Sequence, residues 1–556
     1  MSPTAPIPID PRPPHDALGR VIGLLLSGFL VLVPARAASA PLPDFAELEA
    51  AGARIGEIRI TPRDIFDTSN PKEDRWLFRW ANRLHGVTRP EVIERALLFK
   101  PGEPVSRRLI DETERLLRGK SFLYDVQIRP VAVRDGVVDI EVLTRDTWSF
   151  EPSVGVGRSG GRNTSTVRLR DYNLLGLGLS VGLNRVKNVD RTTTRFELSG
   201  EQLFGSWTNV ALTVADNSDG HRRAVSVVRP FHELDARWAA GVSLSDDDRV
   251  DSVYRAGQVV SQFRRREQRA EVFAGWSPGL VDGKVHRFSA GVSLAEDRYA
   301  PEPGLVAPAL LPGDGKLVVP FVRFERLEDR FERELNRNLI GSPEFFALGL
   351  AARLQLGYAA PATGSTRRAL LYSASVSHGL VPAPGQTLIT ALQLSGEYSA
   401  GQSRRQQLGV LAQYYRPQSP KWLLYASAAA DLLTRPDPTV SLLLGGDNDL
   451  RGYPLRYQSG TRRALLTLEE RFHTDLYLWQ LFRVGGAAFV DVGRAWGGNG
   501  GNAANPGWLT NVGGGLRFVS TRSAFSNVIH LDLAFPIDAP ADIKRVQLLA
   551  RTKATF

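Results

Sequence analysis

The chain has 556 residues, of which 43% are apolar, 23% are charged and 52 are glycine, and its formal net charge is +10. It contains no cysteine, which excludes a disulfide framework, a thiolate nucleophile and any metal site built on cysteine. Lysine and arginine are scattered along the chain, so the positive charge does not indicate a nucleic-acid partner and suits a lipid or polyanionic surface better.

The first predicted element is a short apolar run near the N-terminus, Val21 to Val33. A membrane-spanning helix needs about 20 apolar residues, so this run is too short to span comfortably. Small-x-small patterns end at Ala37 and Ala40. Residues 1–40 are therefore predicted to be a secretory signal peptide, cleaved after Ala37 or Ala40, and an uncleaved anchor is the alternative.

A linker over residues 41–54 is expected to lead into a small mixed domain over residues 55–147. Its predicted order is β-α-α-β-β. Helical spacing runs from Glu73 to His85, through Trp76, Leu77, Trp80 and Leu84, and again from Val105 to Arg118, with a short helical stretch opened by Arg89-Pro90-Glu91 between them. Two alternating segments then flank the hairpin turn Arg134-Asp135-Gly136. A domain of this length can form one small hydrophobic core.

From Trp148 to the C-terminus the periodicity changes to two. In one segment apolar residues at 177, 179, 181 and 183 alternate with Gly178, Ser180, Gly182 and Asn184. Such strands form either a soluble sandwich with the apolar face inside or an outer-membrane β-barrel with that face toward lipid. Small and charged residues on the polar face, tryptophans near strand ends and an aromatic last residue, Phe556, favour the barrel.

The strand number follows from length. At roughly 25 residues per strand with its loop, residues 148–556 predict an antiparallel barrel of about 16 strands. Polar stretches such as Asp246-Asp247-Asp248 are expected to form long loops on one side. The predicted fold class is therefore mainly β, a transmembrane barrel preceded by one small α/β domain.

Two strings resemble enzyme motifs but lack the required context. Residues 155–160 match G-x-G-x-x-G, and residues 178–182 match G-x-S-x-G. Both lie in alternating strands, whereas a dinucleotide site needs a following helix and a nucleophile elbow needs a sharp turn. The histidines show no metal-ligand spacing. The sequence therefore predicts neither an enzyme nor a bound cofactor or metal.

The most informative segment runs from Leu442 to Phe472. It contains Arg451 in the string Leu450-Arg451-Gly452-Tyr453, and the following strands carry Glu469 and Asp491 on polar faces. If both faces point into the lumen, a loop folded back inside brings Arg451 to the two carboxylates, which its five donors suit. Gly452 allows a turn where a Cβ would clash. The alternative is an exposed hairpin loop with an incidental arginine.

These residues resemble the motifs of the Omp85 superfamily, the BamA/TamA-like outer-membrane assembly and translocation proteins. The string at 450–453 is similar to the family's [VL]RG[FY] motif. Phe489, Asp491 and Gly493 are similar to its F-x-D-x-G motif, and Glu469 and Arg471 to the strand motif between them. Residues 173–176, N-L-L-G, resemble a segment early in such barrels, and residues 55–147 resemble a POTRA domain.

The resemblance implies a barrel whose first and last strands form a weak seam, with Arg451, Glu469 and Asp491 as a lock in the lumen. Tyr453 and Phe489 would pack beside this lock, Gly452, Gly493 and Arg471 would support it, and Phe556 would end the barrel's recognition strand. A single POTRA domain is expected in the periplasm, fewer than in the family's housekeeping assembly proteins.

The predicted function is assembly or translocation of polypeptides at the bacterial outer membrane, without ATP or cofactor. The expected partners are outer-membrane lipid and an unfolded client polypeptide, with a periplasmic protein as a further candidate and no nucleic acid. A passive porin or ligand channel is the alternative. An enzyme is the third possibility, and it lacks a coherent nucleophile, base and oxyanion site.

Overall fold

The computed structural model describes residues 42–498, 507–524, 528–537, 539–541 and 543–553. The predicted signal peptide over residues 1–40, its cleavage positions after Ala37 or Ala40, and Phe556 lie outside these residues. Within the described ranges, no helix is both long enough and apolar enough to cross a membrane.

The N-terminal part of the described chain folds around a small mixed sheet. Its elements in chain order are α1 (Phe45–Ala50), β1 (Arg54–Arg63), α2 (Trp76–Leu84), α3 (Pro90–Glu94), α4 (Arg107–Arg118), β2 (Leu123–Arg134) and β3 (Val137–Asp146). The strand order is β1-β3-β2, with β3 parallel to β1 and antiparallel to β2. Ile93, Leu117, Val126 and Ile140 are fully buried between the sheet and the helices α3 and α4. Below, this unit is called the small domain.

The remainder forms a closed antiparallel barrel of 20 strands. The strands after β3 are β4 (Phe150–Ser159), β5 (Arg162–Asp171), β6 (Leu179–Lys187), β7 (Thr192–Leu203), β8 (Thr208–Asn217), β9 (Gly220–Arg229), β10 (Trp238–Arg255), β11 (Gln258–Trp276), β12 (Leu280–Val281), β13 (Lys284–Pro301), β14 (Gly315–Glu328), β15 (Phe331–Leu335), β16 (Pro343–Ala347), β17 (Ala351–Ala359), β18 (Ala369–Leu380), β19 (Thr387–Ser399), β20 (Gln402–Pro417), β21 (Trp422–Thr434), β22 (Leu442–Leu444), β23 (Gln458–Gly460), β24 (Arg462–Leu478), β25 (Phe482–Trp496), β26 (Leu509–Ser520), β27 (Val528–Ile537) and β28 (Gln547–Lys553).

Five of these strands are not among the 20. The short β12 pairs only with the start of β13, and β15–β16 and β22–β23 form separate hairpins. One-turn 3₁₀-helices lie at Leu174–Gly176 and Pro361–Thr363.

The predicted count of about 16 strands is therefore wrong. Several connections are two-residue turns, such as Ala256-Gly257 between β10 and β11, where both residues have positive φ (48° and 75°). This is the geometry of tight hairpins, so one strand with its connection takes about 20 residues instead of about 25. The predicted loop at residues 246–248 is also wrong, because these aspartates lie inside β10 and pair with β9 and β11.

The two faces of the barrel wall differ in polarity. Alternate apolar residues face outward, and Val154 and Val156 are both 81% exposed. The inner face carries ion pairs between strands, such as Arg249 with Glu267 at 2.6 Å. Four exposed tryptophans mark one end of the barrel, where β10 and β21 begin and β11 and β24 end: Trp238, Trp276, Trp422 and Trp479. This is the pattern of a lipid-facing barrel with an aromatic girdle.

The small domain packs against that same end, which we call the proximal end. Three contacts join the small domain to separate strand connections: Thr88 Oγ1 accepts from Asn173 Nδ2 at 2.8 Å, Glu73 Oε1 accepts from Arg522 Nη2 at 2.6 Å, and Glu112 Oε1 accepts from the main-chain nitrogen of Leu234 at 2.8 Å. The small domain therefore contacts the rim at widely separated points.

Candidate functional site

The connection between β21 and β24, residues 435–461, folds back into the barrel, and we call it the lumen loop. Its hairpin β22–β23 holds the loop in shape, and Leu444, Leu450 and Tyr453 are completely buried. They pack against Ala495 and Leu509 on the wall. The exposed hairpin considered as an alternative from sequence is therefore not what forms.

Arg451 lies between the two carboxylates that the sequence predicted. Its Nε and Nη2 donate to Oδ2 and Oδ1 of Asp491 at 2.8 and 2.7 Å, and its Nη1 donates to Oε1 of Glu469 at 2.6 Å. The side chains of all three residues are at most 7% exposed. The bidentate contact with Asp491 uses the planar fork of the guanidinium, which a lysine cannot reproduce.

The positive charge of Arg451 is held firmly. Burial lowers the pKa of this guanidinium, but the hydrogen bonds and charges of Asp491 and Glu469 outweigh that effect and the net shift is upward. The guanidinium carbon also lies 3.3 Å from the ring centroid of Phe489. A cation that packs on an aromatic face and binds two carboxylates leaves its site only at a large cost in free energy.

Two further side chains donate hydrogen bonds to the carboxylate of Asp491. The Thr467 hydroxyl donates to its Oδ1 at 3.0 Å, and Asn511 Nδ2 donates to its Oδ2 at 2.8 Å. Asn511 also accepts from the main-chain nitrogen of Gly452 at 3.0 Å. Gly452 is required by close approach, because a Cβ built there would lie 2.5 Å from the Cβ of Asn511. Its φ is not in the left-handed region, so the steric clash, and not the backbone conformation, accounts for glycine at this turn.

The other predicted site residues also contact the lumen loop or its partners. The Tyr453 hydroxyl lies within hydrogen-bond distance of the main-chain oxygens of Thr510 and Ile537, at 3.1 and 3.3 Å. Gly493 faces Leu444 of the loop. Arg471 donates from Nε to Oε2 of Glu469 at 3.1 Å.

The lumen loop also bridges the junction between the first and last barrel strands. On the β28 side, Asp449 pairs with Lys553 at 2.6 Å. On the β4 side, the Ser159 hydroxyl donates to the main-chain oxygen of Gly446 at 2.5 Å. Further along, Arg456 binds Asp190 in the turn after β6 at 2.7 and 2.8 Å. The loop therefore joins two strands that barely pair with each other.

That junction, which we call the seam, is the weakest ladder in the barrel. Within the described residues, β28 and β4 share one register pair, Ala550 with Arg158. The other neighbouring pairs among the 20 strands have at least seven, as in β14–β17, β5–β6 and β27–β28. Few main-chain hydrogen bonds therefore hold the wall closed at this place.

A second segment enters the lumen from the proximal end. This proximal loop, residues 329–350, connects β14 to β17 and carries the hairpin β15–β16. Ile340 of the loop is 3% exposed and packs against Ala487, Val519 and Val528 on β25, β26 and β27. The main-chain oxygen of Arg337 accepts from Arg471 at 2.9 Å. The proximal loop therefore crosses the barrel from β14 to the strands near the seam.

Sequence reasoning missed three parts of this site. Asn511 and Arg337 carried no motif. Arg517, which is fully buried, donates to Asp532 at 2.5 Å and lies 3.9 Å from Glu469. The alternation of β26 and β27 places both of these charges on the inner face, so parity was a usable signal for this pair. No such signal existed for Arg337, whose contact is made by its backbone.

The contacts of this site are structural, and they hold segments of the chain together. Its donors and acceptors are bound to one another, and among the described residues no group of three or more His, Asp or Glu side chains is placed to hold a metal ion. The arrangement fixes two loops and four strands relative to one another.

Comparisons with known proteins match the chain to solved structures. No family model and no curated protein matches the chain. Among solved structures, the chain is similar to CdiB from Escherichia coli (14% identity over 90% of this chain and 76% of that chain, TM-score 0.47) and CdiB from Acinetobacter baumannii (13%, 90% and 73%, 0.42). It is also similar to BamA from Haemophilus ducreyi lacking POTRA domains 1–3 (14%, 90% and 85%, 0.39). At these identities and TM-scores, the likenesses carry no argument about function.

Proposed function

We propose that the chain is an Omp85-type protein of the bacterial outer membrane, which inserts or translocates client polypeptides without ATP, cofactor or covalent catalysis. The client would use the seam between β4 and β28. The small domain would lie in the periplasm and act as a single POTRA domain.

The observation that carries this proposal is the seam itself. A wall strand with one register pair leaves most of its main-chain donors and acceptors available at one edge, and such an edge can pair with an incoming strand. A barrel that served only as a pore would have no need of an open edge, because closure removes the edges of every strand.

A cavity of about 1200 Å³ lies along the seam. Its walls include Val154 and Ile529, which face outward, as well as Glu151 and Arg551, which face the lumen side. A cavity with lining residues from both faces of the wall supports a lateral route between the lumen and the membrane.

The residues that resemble the Omp85 motifs support the same proposal. Arg451 of the lumen loop binds the Asp491 and Glu469 carboxylates, and the loop contacts both seam strands. We infer that the loop holds the seam in register while leaving the edge of β4 free to pair.

The small domain has a free sheet edge. Strand β2 pairs only with β3 within the described residues, and its outer positions Gln127 and Arg129 are exposed. An extended client segment can add to such an edge by main-chain hydrogen bonds. The proposal therefore assigns client reception to β2 and client release to the seam.

A disulfide lock tests the role of the seam, because the chain has no native cysteine. Arg158→Cys with Ala550→Cys joins the one register pair, and directly opposed residues of antiparallel strands lie at bridging distance. In proteoliposomes, oxidation is expected to abolish insertion or passage of an unfolded outer-membrane polypeptide, and reduction to restore it.

The matched control is Val154→Cys with Val167→Cys, a register pair inside the continuous β4–β5 ladder. This disulfide is expected to leave insertion or passage of the client polypeptide unchanged. Full client handling by the oxidised seam variant would overturn the proposal. Steady solute conductance with no crosslink between a client and β2 or β28 would favour the passive porin instead.

A further inference from the structure

Helix α2 exposes the apolar residues whose spacing predicted it. Trp76 is 73% exposed, Trp80 53%, Leu84 58% and Leu77 47%. Aromatic and aliphatic side chains of this size are normally buried in a small domain, and a contiguous exposed apolar patch marks an interaction surface.

The opposite face of α2 makes the contacts that hold it in the small domain. Phe78 is 4% exposed and stacks on Phe66 with a centroid distance of 4.0 Å. Asn82 donates to the main-chain oxygen of Phe66 at 2.8 Å. At 100° per residue, the exposed positions 76, 77, 80 and 84 cover an arc of about 100° centred opposite Phe78. The helix is therefore amphipathic, with its apolar face outward.

The buried face of α2 packs against the rim of the barrel at its proximal end. Phe78 belongs to a cluster against which two residues of the barrel pack: Trp148, just before β4, and Leu481, in the turn between β24 and β25. Trp479, two residues before Leu481 in the same turn, is 67% exposed. The helix that carries the exposed tryptophans therefore lies beside a turn of the aromatic girdle, with its apolar face directed away from the rim.

The arginines of α2 indicate which kind of surface its exposed apolar face binds. Arg75, Arg79 and Arg83 are all exposed. Of the two acidic residues that precede the helix, Asp74 pairs with Arg79 and Glu73 is buried and pairs with Arg522. Tryptophan and leucine on one face flanked by arginines is the composition of a helix that lies in a membrane interface and attracts anionic head groups.

We propose that α2 lies in the interface of the inner leaflet, with Trp76, Trp80, Leu77 and Leu84 among the acyl chains and the arginines at anionic phospholipid head groups. The inference rests on the proposed function, since it requires the barrel to stand in a membrane. The helix then anchors the small domain beside the seam, on the side where β4 begins.

Site-specific labelling of the full chain tests this placement, and the cysteine-free sequence allows one label at a time. The variants Trp80→Cys and Leu84→Cys carry an environment-sensitive fluorophore, in vesicles of phosphatidylethanolamine and phosphatidylglycerol. Trp276→Cys serves as the lipid-facing reference on the barrel, and Arg59→Cys as the exposed polar control on β1 of the small domain.

The expected result is that lipid-attached nitroxide quenches the labels on α2 as strongly as the label of the Trp276→Cys variant, with emission at shorter wavelength than for Arg59→Cys. Quenching by aqueous iodide, as for Arg59→Cys, would overturn the inference. Shielding from both quenchers would also overturn it, because a protein segment would then cover the helix. Iodide quenching of the Trp276→Cys label would instead contradict the proposed membrane location of the barrel.

Discussion

The guanidinium of Arg471 donates a hydrogen bond to the main-chain oxygen of Arg337 at 2.9 Å, which joins β24 to the proximal loop. The same side chain donates to Glu469, which in turn accepts from Arg451 of the lumen loop. The two loops enter the barrel from opposite ends, so one charged network in the lumen connects them. A displacement of either loop exposes charges that the other loop depends on.

Replacing Arg451 tests the centre of this network. We expect Arg451→Ala to destabilise the barrel by about 3–5 kcal/mol, because Glu469 and Asp491 would be left buried without their cation. Heat-modifiable migration and the urea midpoint measure the effect. Arg451→Lys, which keeps the charge but not the fork, should fall between alanine and wild type. Arg456→Ala, which breaks a more exposed pair with Asp190, should cost less than about 1 kcal/mol. Equal effects at the two arginines would contradict the lock.

Gly452→Ala tests the close packing of the lumen loop. The added Cβ would meet the Cβ of Asn511 at 2.5 Å, so the loop must shift away from Asp491. We expect a loss of about 1–3 kcal/mol, read from the same urea midpoint. Gly313→Ala is the control, since a Cβ there has nothing within 4 Å and φ is not positive. A Gly452→Ala barrel as stable as the control would show that the loop packs differently.

Shortening the proximal loop tests whether it obstructs the lumen. Deletion of residues 332–346 removes Ile340 and the backbone of Arg337 from their contacts with the wall. We expect a larger single-channel conductance in planar bilayers, because the segment crosses the lumen. A deletion in the outer connection, residues 305–312, should leave conductance at its wild-type level. Unchanged conductance in the first variant would mean that the lumen loop alone closes the barrel.

Asn173→Ala tests the attachment of the small domain. Asn173 donates to Thr88 and accepts from the main-chain nitrogen of Gly178, and it is 1% exposed. Its loss should weaken the attachment by about 1–3 kcal/mol, because the hydrogen bond to Thr88 is removed and the partly buried main-chain nitrogen of Gly178 loses its acceptor. Hydrogen exchange over residues 85–92 should become faster. Asn188→Ala, in a turn at the other end of the barrel, should leave exchange in this segment unaltered.

Part of this architecture could be predicted from sequence because alternation is a local property. The period of two indicated the barrel, and parity placed Glu469 and Asp491 on polar faces, which would meet the loop if both pointed into the lumen. The strand number could not be obtained in the same way, since it depends on how short each turn is. An average number of residues per strand does not show which turns are as short as Ala256-Gly257. The aspartates at 246–248 were misassigned because a run of charged residues resembles a polar loop, although in a strand such residues project alternately to the two faces.

The remaining features depend on which segments meet in space. The backbone contact of Arg337 needs the path of the proximal loop, which no pattern in residues 329–350 specified. Similarly, the spacing of Trp76 and Trp80 indicated a helix but not the direction of its apolar face. That direction follows from the position of Phe78 against the rim.

The reach of the lumen loop across the seam has a kinetic consequence. The contact between Ser159 and Gly446 joins residues that are 287 positions apart in sequence. The contact between Asp449 and Lys553 can form only once Lys553, at the end of β28, is in place. Contacts between residues so far apart in sequence form late in folding. Closing the long loop between them costs conformational entropy before the contact stabilises the structure. The barrel wall must therefore stay open at β4 until its last strand has arrived. During that interval the nascent chain presents the same unpaired edge that we propose it later offers to its clients.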